Sequence, residues 1–273
     1  MNPIVHKVIF AAPRTAEVAT EPSRDLAPRE VRIATIVTGI SRGTEMNFYR
    51  GDAVFFDKTY DAELCLFRMG SEASMSYPIE FGYENIGRIA EVGSGVSEFA
   101  TGRTVVTYQP HRSEVIIDLD SRDVLIGDMS PVLPLPDGVP AEHGVFLPLL
   151  GVAFNAILDA RIIQTETVVV FGAGVVGLLM LQLAKRAGAG AVYVVEPTPA
   201  RRKVAADLGA SRVFDPSDGC DIAVAIRELT AGRGADVAIE ASGVYAGCRK
   251  RSASSATAAA WSPQAGCPAR ASA

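Results

Sequence analysis

Three glycines, spaced Gly172-x-Gly174-x-x-Gly177, follow directly on the β-branched apolar run Thr167 to Phe171, and the apolar segment Leu178 to Ala184 comes straight after them. Strand, turn and helix in that order predict a phosphate-binding bend. Gly172 permits the tight turn, Gly174 lets the backbone approach a pyrophosphate, and Gly177 lets helix and strand pack closely; Val175 and Val176 complete the bend. Free N–H groups and the positive dipole end at the start of the helix attract an anion. The next apolar run, Ala191 to Val195, ends at Glu196, about 20 residues beyond the last glycine, where a carboxylate accepts the ribose hydroxyls of an adenosine half. These residues predict dinucleotide binding. Glu196 repels a 2′-phosphate, whereas Arg201 and Arg202 attract one, and the acid at the strand tip favours NAD over NADP.

The elements that must hold this bend fall into two textures. Up to about residue 150 the chain reads as short strands broken by Gly, Pro and charged turns, at Lys7 to Phe10, Glu30 to Val37, Ile86 to Val92, Arg103 to Thr107 and Glu114 to Ile117. From about Val152 helix and strand alternate, the mark of a doubly wound parallel sheet. The Pro-rich stretch Pro131 to Pro140 reads as an extended connector between them. The expected fold is α/β: a β-rich domain over 1–150, then an incomplete Rossmann sheet over 151–246, then an atypical, disordered tail over 247–273. With 273 residues and a net charge of −5, nothing favours nucleic acid or an anionic membrane as partner. No apolar run approaches the roughly 20 residues of a bilayer span, and the N-terminus has no charged-then-apolar leader, so the expected compartment is the cytoplasm. The four cysteines, Cys65, Cys220, Cys248 and Cys267, form no C-x-x-C pair, which argues against a disulfide framework or a zinc knuckle. His6, His111 and His143 show no partner spacing and read as ordinary residues.

Several stretches together resemble the medium-chain dehydrogenase/reductase superfamily, the alcohol-dehydrogenase-like enzymes. They are Gly39-Ile40-Ser41-Arg42-Gly43-Thr44-Glu45 with Tyr49-Arg50-Gly51, Gly82-Tyr83-Glu84-Asn85-Ile86-Gly87-Arg88-Ile89, the helix entry Phe146 to Ala156, the glycine bend, and Gly234 to Gly243. The resemblance implies a GroES-like catalytic domain followed by a Rossmann domain, with hydride exchanged between a nicotinamide cofactor and an alcohol or carbonyl substrate at the cleft between them. It also implies a homodimer.

The zinc-dependent branch of that family places a Cys, a His and a later acidic or Cys ligand at positions held here by Ser41 or Arg42, by Tyr83 and by a residue near Leu147. Catalytic zinc requires thiolate, imidazole or carboxylate donors, so no metal is expected, although Glu84 remains. Carbonyl polarisation must then come from hydrogen-bond donors. By resemblance Thr44 matches the proton-relay hydroxyl, Asn47 matches a histidine further along that relay, and Tyr83 offers a phenol in place of the lost histidine. Tyr83 can equally be a packing plug and Thr44 a turn cap. Phe55, Phe56, Tyr60, Leu64, Phe67 and Met69 read as a lobe burying its own small core, with a bulky apolar substrate as the other reading.

Beyond Tyr245 the family pattern stops. Cys248 to Ala273 holds no acidic residue and no strand periodicity, in the manner of low-complexity sequence. Read one base back, an allowed spelling of these codons gives L-Q-E-A-I-R-L-V-R-Y-G-G-G-V-V, a helix, glycine turn and strand. An out-of-frame tail is therefore one expectation, and a genuine basic tail is the other. The first would leave the sheet short, its edge open, the dimer impaired and activity weak. The sequence thus points to a zinc-independent, NAD-linked oxidoreductase in truncated form, with a redox-sensing dinucleotide binder or an inactive fragment as alternatives.

Overall fold

The computed structural model describes residues 3–61, 64, 66–69, 75–121, 131–243 and 255–259. The chain divides into two compact units, the first ending at Pro148 and the second starting at Leu149. Strands of the first are β1 (Ile4–Ala12), β2 (Thr15–Pro22), β3 (Glu30–Thr38), β4 (Lys58–Asp61), β5 (Leu66–Met69), β6 (Ile79–Glu80), β7 (Asn85–Val92), β8 (Thr104–Thr107), β9 (Glu114–Asp118) and β10 (Val132–Pro134), joined by helices α1 (Arg42–Arg50) and α2 (Ala141–Gly144). They build sheets in the orders β2-β1-β6 and β10-β8-β7-β3-β9 and the ribbon β4-β5, antiparallel throughout.

Alternation along β3, β7 and β9 sends Val31, Ile33, Ile89, Val115 and Ile117 to one face, where they close a core with Val105 and Val132, as the period of two requires. The register then places one end of this sheet under the site. Thr38 at the close of β3 pairs with Asn85 at the start of β7, and Gly39 N–H donates to the Glu84 carbonyl at 2.7 Å, continuing the ladder. Ala34 pairs with Glu114 of β9, so the β8–β9 connection ends beside the same strand. Helix α1 was not among the expected elements. It buries Glu45 and Phe48, and a buried glutamate among exposed polar residues gives no apolar period to read.

The second unit carries α3 (Leu147–Ala160), β11 (Thr167–Phe171), α4 (Val175–Arg186), β12 (Ala191–Val195), α5 (Pro199–Asp207), β13 (Arg212–Phe214), α6 (Ile222–Leu229), β14 (Ala235–Glu240) and β15 (Ser255–Ala259). All its strand pairs are parallel, in the order β13-β12-β11-β14-β15. Every residue of β11 is buried, as expected of a strand covered on both faces. Gly177, Met180, Leu181 and Ala184 form the buried stripe of α4 at the helical spacing. They pack with Ala153, Ala156 and Ile157 of α3 and with Val168, Val170, Val192 and Val194 of the sheet. The alternation expected from Val152 onward is thus observed. The disordered tail expected over 247–273 is corrected for one segment: residues 255–259 form β15, which pairs along β14 and takes its place as the last strand on that side of the sheet. The rest of that span lies outside the described residues.

Leu181 is fully buried in this core, so Leu181→Ala is expected to cost about 3 kcal/mol through lost transfer energy and the cavity left behind. Urea unfolding monitored by circular dichroism measures it.

Candidate functional site

Two polar constellations stand out, one in each unit. In the second unit the bend after β11 has the backbone its glycines require. Gly172 adopts φ +97°, which only glycine accepts without strain. A Cβ on Gly177 would lie 2.0 Å from the Gly172 carbonyl oxygen, while one on Gly174 would meet nothing within 4 Å. The first and third glycines therefore permit helix-to-strand contact, and the middle one leaves open space above the N-terminus of α4, where an anion is favoured. Val175 is exposed and Val176 half-buried at that terminus.

Glu196 follows β12 directly and is buried. Its Oε2 accepts the Ala173 N–H at 2.8 Å and its Oε1 accepts the Thr198 N–H at 2.8 Å. Desolvation alone would raise this carboxyl's pKa; the two backbone N–H groups, the Thr198 side chain and the Arg201 charge together outweigh it and hold the pKa below the usual value, so the group stays ionised. The acid thus clamps the glycine bend to the tip of the neighbouring strand. Arg202 is committed elsewhere, to Asp215 at 2.8 Å and to the carbonyls of Glu196 and Pro197. Arg201 is half-buried, and its charge helps to keep Glu196 ionised.

In the first unit, Ser41 caps α1 and Tyr83 precedes β7, and the β3/β7 register brings them together. The Tyr83 hydroxyl donates to Ser41 Oγ and lies 3.3 Å from Thr44 Oγ1. Three hydroxyls thus meet at the start of α1. Burial, first of all, pushes the Tyr83 phenol above its ordinary pKa; bonds to Ser41 and Thr44 offset part of this, and the charges of Glu84 and Glu45 add to it. The phenol therefore keeps its proton at neutral pH. Of the two positions considered for the family cysteine, Ser41 is the buried one and Arg42 is exposed.

A model described as "Zinc-binding dehydrogenase" matches residues 175–258. The D-guloside 3-dehydrogenase of Escherichia coli K12 is 32% identical over 242 residues, covering 87% of this chain and 67% of its own length. The chain belongs to the medium-chain dehydrogenase/reductase superfamily. It is an alcohol-dehydrogenase-like oxidoreductase by that membership. The (R,R)-butanediol dehydrogenase of Bacillus subtilis 168 is 30% identical, covering 80% of this chain and 64% of its own length; the chain spans about two thirds of the length of these relatives. Two solved structures agree in fold. The Bacillus subtilis 2R,3R-butanediol dehydrogenase has a TM-score of 0.74 at 23% identity, covering 94% of this chain and 78% of its own. A zinc-binding dehydrogenase from Sinorhizobium meliloti 1021, solved with NADP, has a TM-score of 0.72 at 22% identity, covering 93% of this chain and 74% of its own.

Within this dehydrogenase fold the structure joins Thr44 and Tyr83, and leaves Asn47 apart: Asn47 is exposed and its Oδ1 accepts from Arg50 at 2.6 Å. Phe48, Phe55, Phe56 and Phe81 stack into a small core with Tyr77, and Phe67 packs edge-on against Phe55, which is the packing reading for Phe55, Phe56 and Phe67, while Leu64 is exposed.

His111 requires correction. It is not an unpartnered residue: Nε2 lies 2.7 Å from Glu45 Oε2 and Nδ1 lies 2.8 Å from Thr38 Oγ1. Glu45 Oε1 in turn accepts the Ser41 N–H at 2.6 Å. No local spacing marks a pair 66 residues apart.

Glu84 differs from Glu45 and Glu196. Its Oε1 is buried with no hydrogen-bond partner, and it packs against Gly39, where a Cβ would fall 2.2 Å from Oε2. Desolvation first, and the Glu45 charge second, raise its pKa to about 7, with His111 opposing. The sign for stability follows. Below about pH 4.5 folded and unfolded chains both hold this proton. Between about pH 4.5 and 7 the folded chain holds it and the unfolded chain does not. This group therefore makes stability fall as pH rises through that window, by about 3 kcal/mol in all, with no further change above it. Unfolding by urea at a series of pH values should show that Glu84→Gln removes this fall.

Proposed function

We propose that this chain is the working part of an NAD-linked dehydrogenase that oxidises a secondary alcohol of a small polyol or glycoside, or reduces the matching carbonyl, without catalytic zinc. The observation that carries the reading is the hydroxyl cluster of Tyr83, Ser41 and Thr44, at positions where zinc-dependent relatives resemble this chain but place metal ligands. A phenol, an aliphatic hydroxyl and Leu147, which packs against the Ile86 and Val106 core, do not fit a zinc ion. Glu45 and His111 direct donor and acceptor atoms at each other, at Ser41 and at Thr38. Among the described residues no group of three or more His, Cys, Asp or Glu side chains is arranged to hold a metal.

The residues of the second unit fit a dinucleotide. The N-terminus of α4, opened by Gly174, receives the diphosphate, and Glu196 receives the adenosine ribose hydroxyls with the lone pairs its two backbone bonds leave. When bound, NAD supplies the hydride acceptor or donor. Arg202 is held by Asp215 and the carboxylate of Glu196 opposes a 2′-phosphate, so NAD is preferred over NADP. The chain's own part in the chemistry is proton management. Tyr83, kept protonated by burial, turns its single O–H from Ser41 Oγ to the substrate oxygen as that oxygen gains negative charge on reduction; in the oxidation direction the alcohol proton moves onto the phenol oxygen while the phenol passes its own proton by way of Thr44 to water. Such donors, fixed in advance, act where charge develops. The domain limits follow the two units, with the cofactor residues in the second and the hydroxyls in the first. A soluble, cytoplasmic homodimer remains the proposed setting, with its contacts reduced if the tail is out of frame.

Two measurements test this. Fluorescence titration should give tighter binding of NADH than of NADPH by about tenfold or more, as expected from one repelled phosphate; equal affinity or NADPH preference overturns the cofactor assignment. With NAD and either (R,R)-butanediol or a D-guloside, activity should survive dialysis against a chelator, and Tyr83→Phe should lower kcat about 100-fold. Chelator-sensitive turnover would end the metal-free reading, and cofactor binding without turnover would favour a redox-sensing role.

A further inference from the structure

We infer that His111 is a positioning residue for Tyr83, acting through Glu45 and Ser41. The inference rests on the reading of Tyr83 as proton donor. Glu45 is nearly fully buried, and a carboxylate there needs donors on its oxygens. It has one on each: the Ser41 N–H on Oε1 at 2.6 Å and His111 Nε2 on Oε2 at 2.7 Å. The imidazole is fastened on its far side by Thr38, 2.8 Å from Nδ1. One tautomer meets both contacts, with Nε2–H donating to the carboxylate and Nδ1 accepting the Thr38 hydroxyl.

Three segments are tied by this chain: the end of β3 at Thr38, the start of α1 at Ser41 and Glu45, and the β8–β9 connection at His111. Ser41 is the joint. Its N–H goes to Glu45, and its Oγ receives the Tyr83 hydroxyl. Without the imidazole, Glu45 Oε2 is left buried with no donor. The carboxylate then turns toward another donor or takes up a proton, its grip on Ser41 loosens, and Ser41 Oγ no longer holds the phenol in place. Gly82 reserves room for the ring: a Cβ there would lie 3.0 Å from the His111 imidazole. The backbone of His111 is secured separately, by its N–H to the Phe81 carbonyl at 3.3 Å and by its carbonyl accepting from Val8 N–H at 2.9 Å. Replacing the side chain therefore leaves the connection in place.

The test uses the full chain and three variants, Tyr83→Phe, His111→Phe and His111→Gln. Glutamine carries an N–H that can reach Glu45; phenylalanine has none. His111→Phe is expected to lower kcat roughly tenfold or more with (R,R)-butanediol or a D-guloside and NAD, as a displaced donor does. KM and NADH affinity stay unchanged, and His111→Gln recovers most of the loss. Independently of turnover, ultraviolet difference titration isolates Tyr83 by subtracting the Tyr83→Phe variant. In His111→Phe the phenol should ionise at higher pH, because the contact with Ser41, which lowers the phenol's pKa, is weakened. Unchanged kcat together with an unchanged phenol titration overturns the inference, even if Tyr83→Phe is impaired. A fully active Tyr83→Phe overturns the donor reading instead, and the titration still decides whether His111 positions the phenol. Should His111→Phe not fold, Glu45→Gln, which keeps an acceptor for Ser41 and weakens the imidazole bond, carries the same expected signs.

Discussion

A carboxylate removed from water must find hydrogen-bond donors inside the protein or give up its charge, and both polar constellations of this chain are arranged around acids facing that choice. Glu196 finds two backbone N–H groups, from Ala173 and Thr198, and in doing so ties the glycine bend to the adjacent strand. Glu45 finds the Ser41 N–H and the His111 ring, and ties the start of α1 to two other segments. Glu84 finds no donor for Oε1 and is pushed toward its neutral form. Two of the acids organise backbone around themselves; the third is shaped by what surrounds it.

The sheets make these contacts possible by register. In the first unit the antiparallel pairing of β3 with β7 and β9 delivers three connections to one end of a single sheet, so residues 66 positions apart meet there. In the second unit all strands run parallel, and their carboxyl ends bring the bend after β11 beside the tip of β12. Ligands of open parallel sheets gather at such ends. The polar residues therefore sit at element termini, where backbone N–H groups remain free to bind, while the strand interiors hold the apolar core.

The proposed chemistry depends on a substitution of means. A metal polarises a substrate oxygen through its charge; a fixed phenol achieves part of the same effect through a directed hydrogen bond, and only if its proton is retained and its position held. Burial of Tyr83 accounts for the first condition, and Ser41 with its buried neighbours for the second. The aromatic residues around Phe48 supply a stiff wall behind Phe81, whose ring meets Tyr83 edge-on at 6.3 Å.

By itself, the sequence determined the glycine bend, the alternation of strand and helix, the acid at the strand tip and the hydroxyl-bearing residues of the first unit, because each is written as a local period, a local turn requirement or a recurring motif. Helix α1 escaped, since its buried face is formed by Glu45 as well as Phe48 and a buried charge does not count as apolar in any pattern. His111 escaped for a related reason: its partners come from distant strands, and only sheet register brings them within bonding distance. The strand at 255–259 lacks alternation, and parallel pairing with β14 rather than side-chain pattern defines it. Tertiary structure alone decided that Glu196 keeps its charge while Glu84 is pushed toward its neutral form, that Ser41 rather than Arg42 faces the phenol, and that Asn47 turns to Arg50. Those outcomes depend on burial and on donors supplied from elsewhere in the chain, and neither is encoded in the neighbours of a residue.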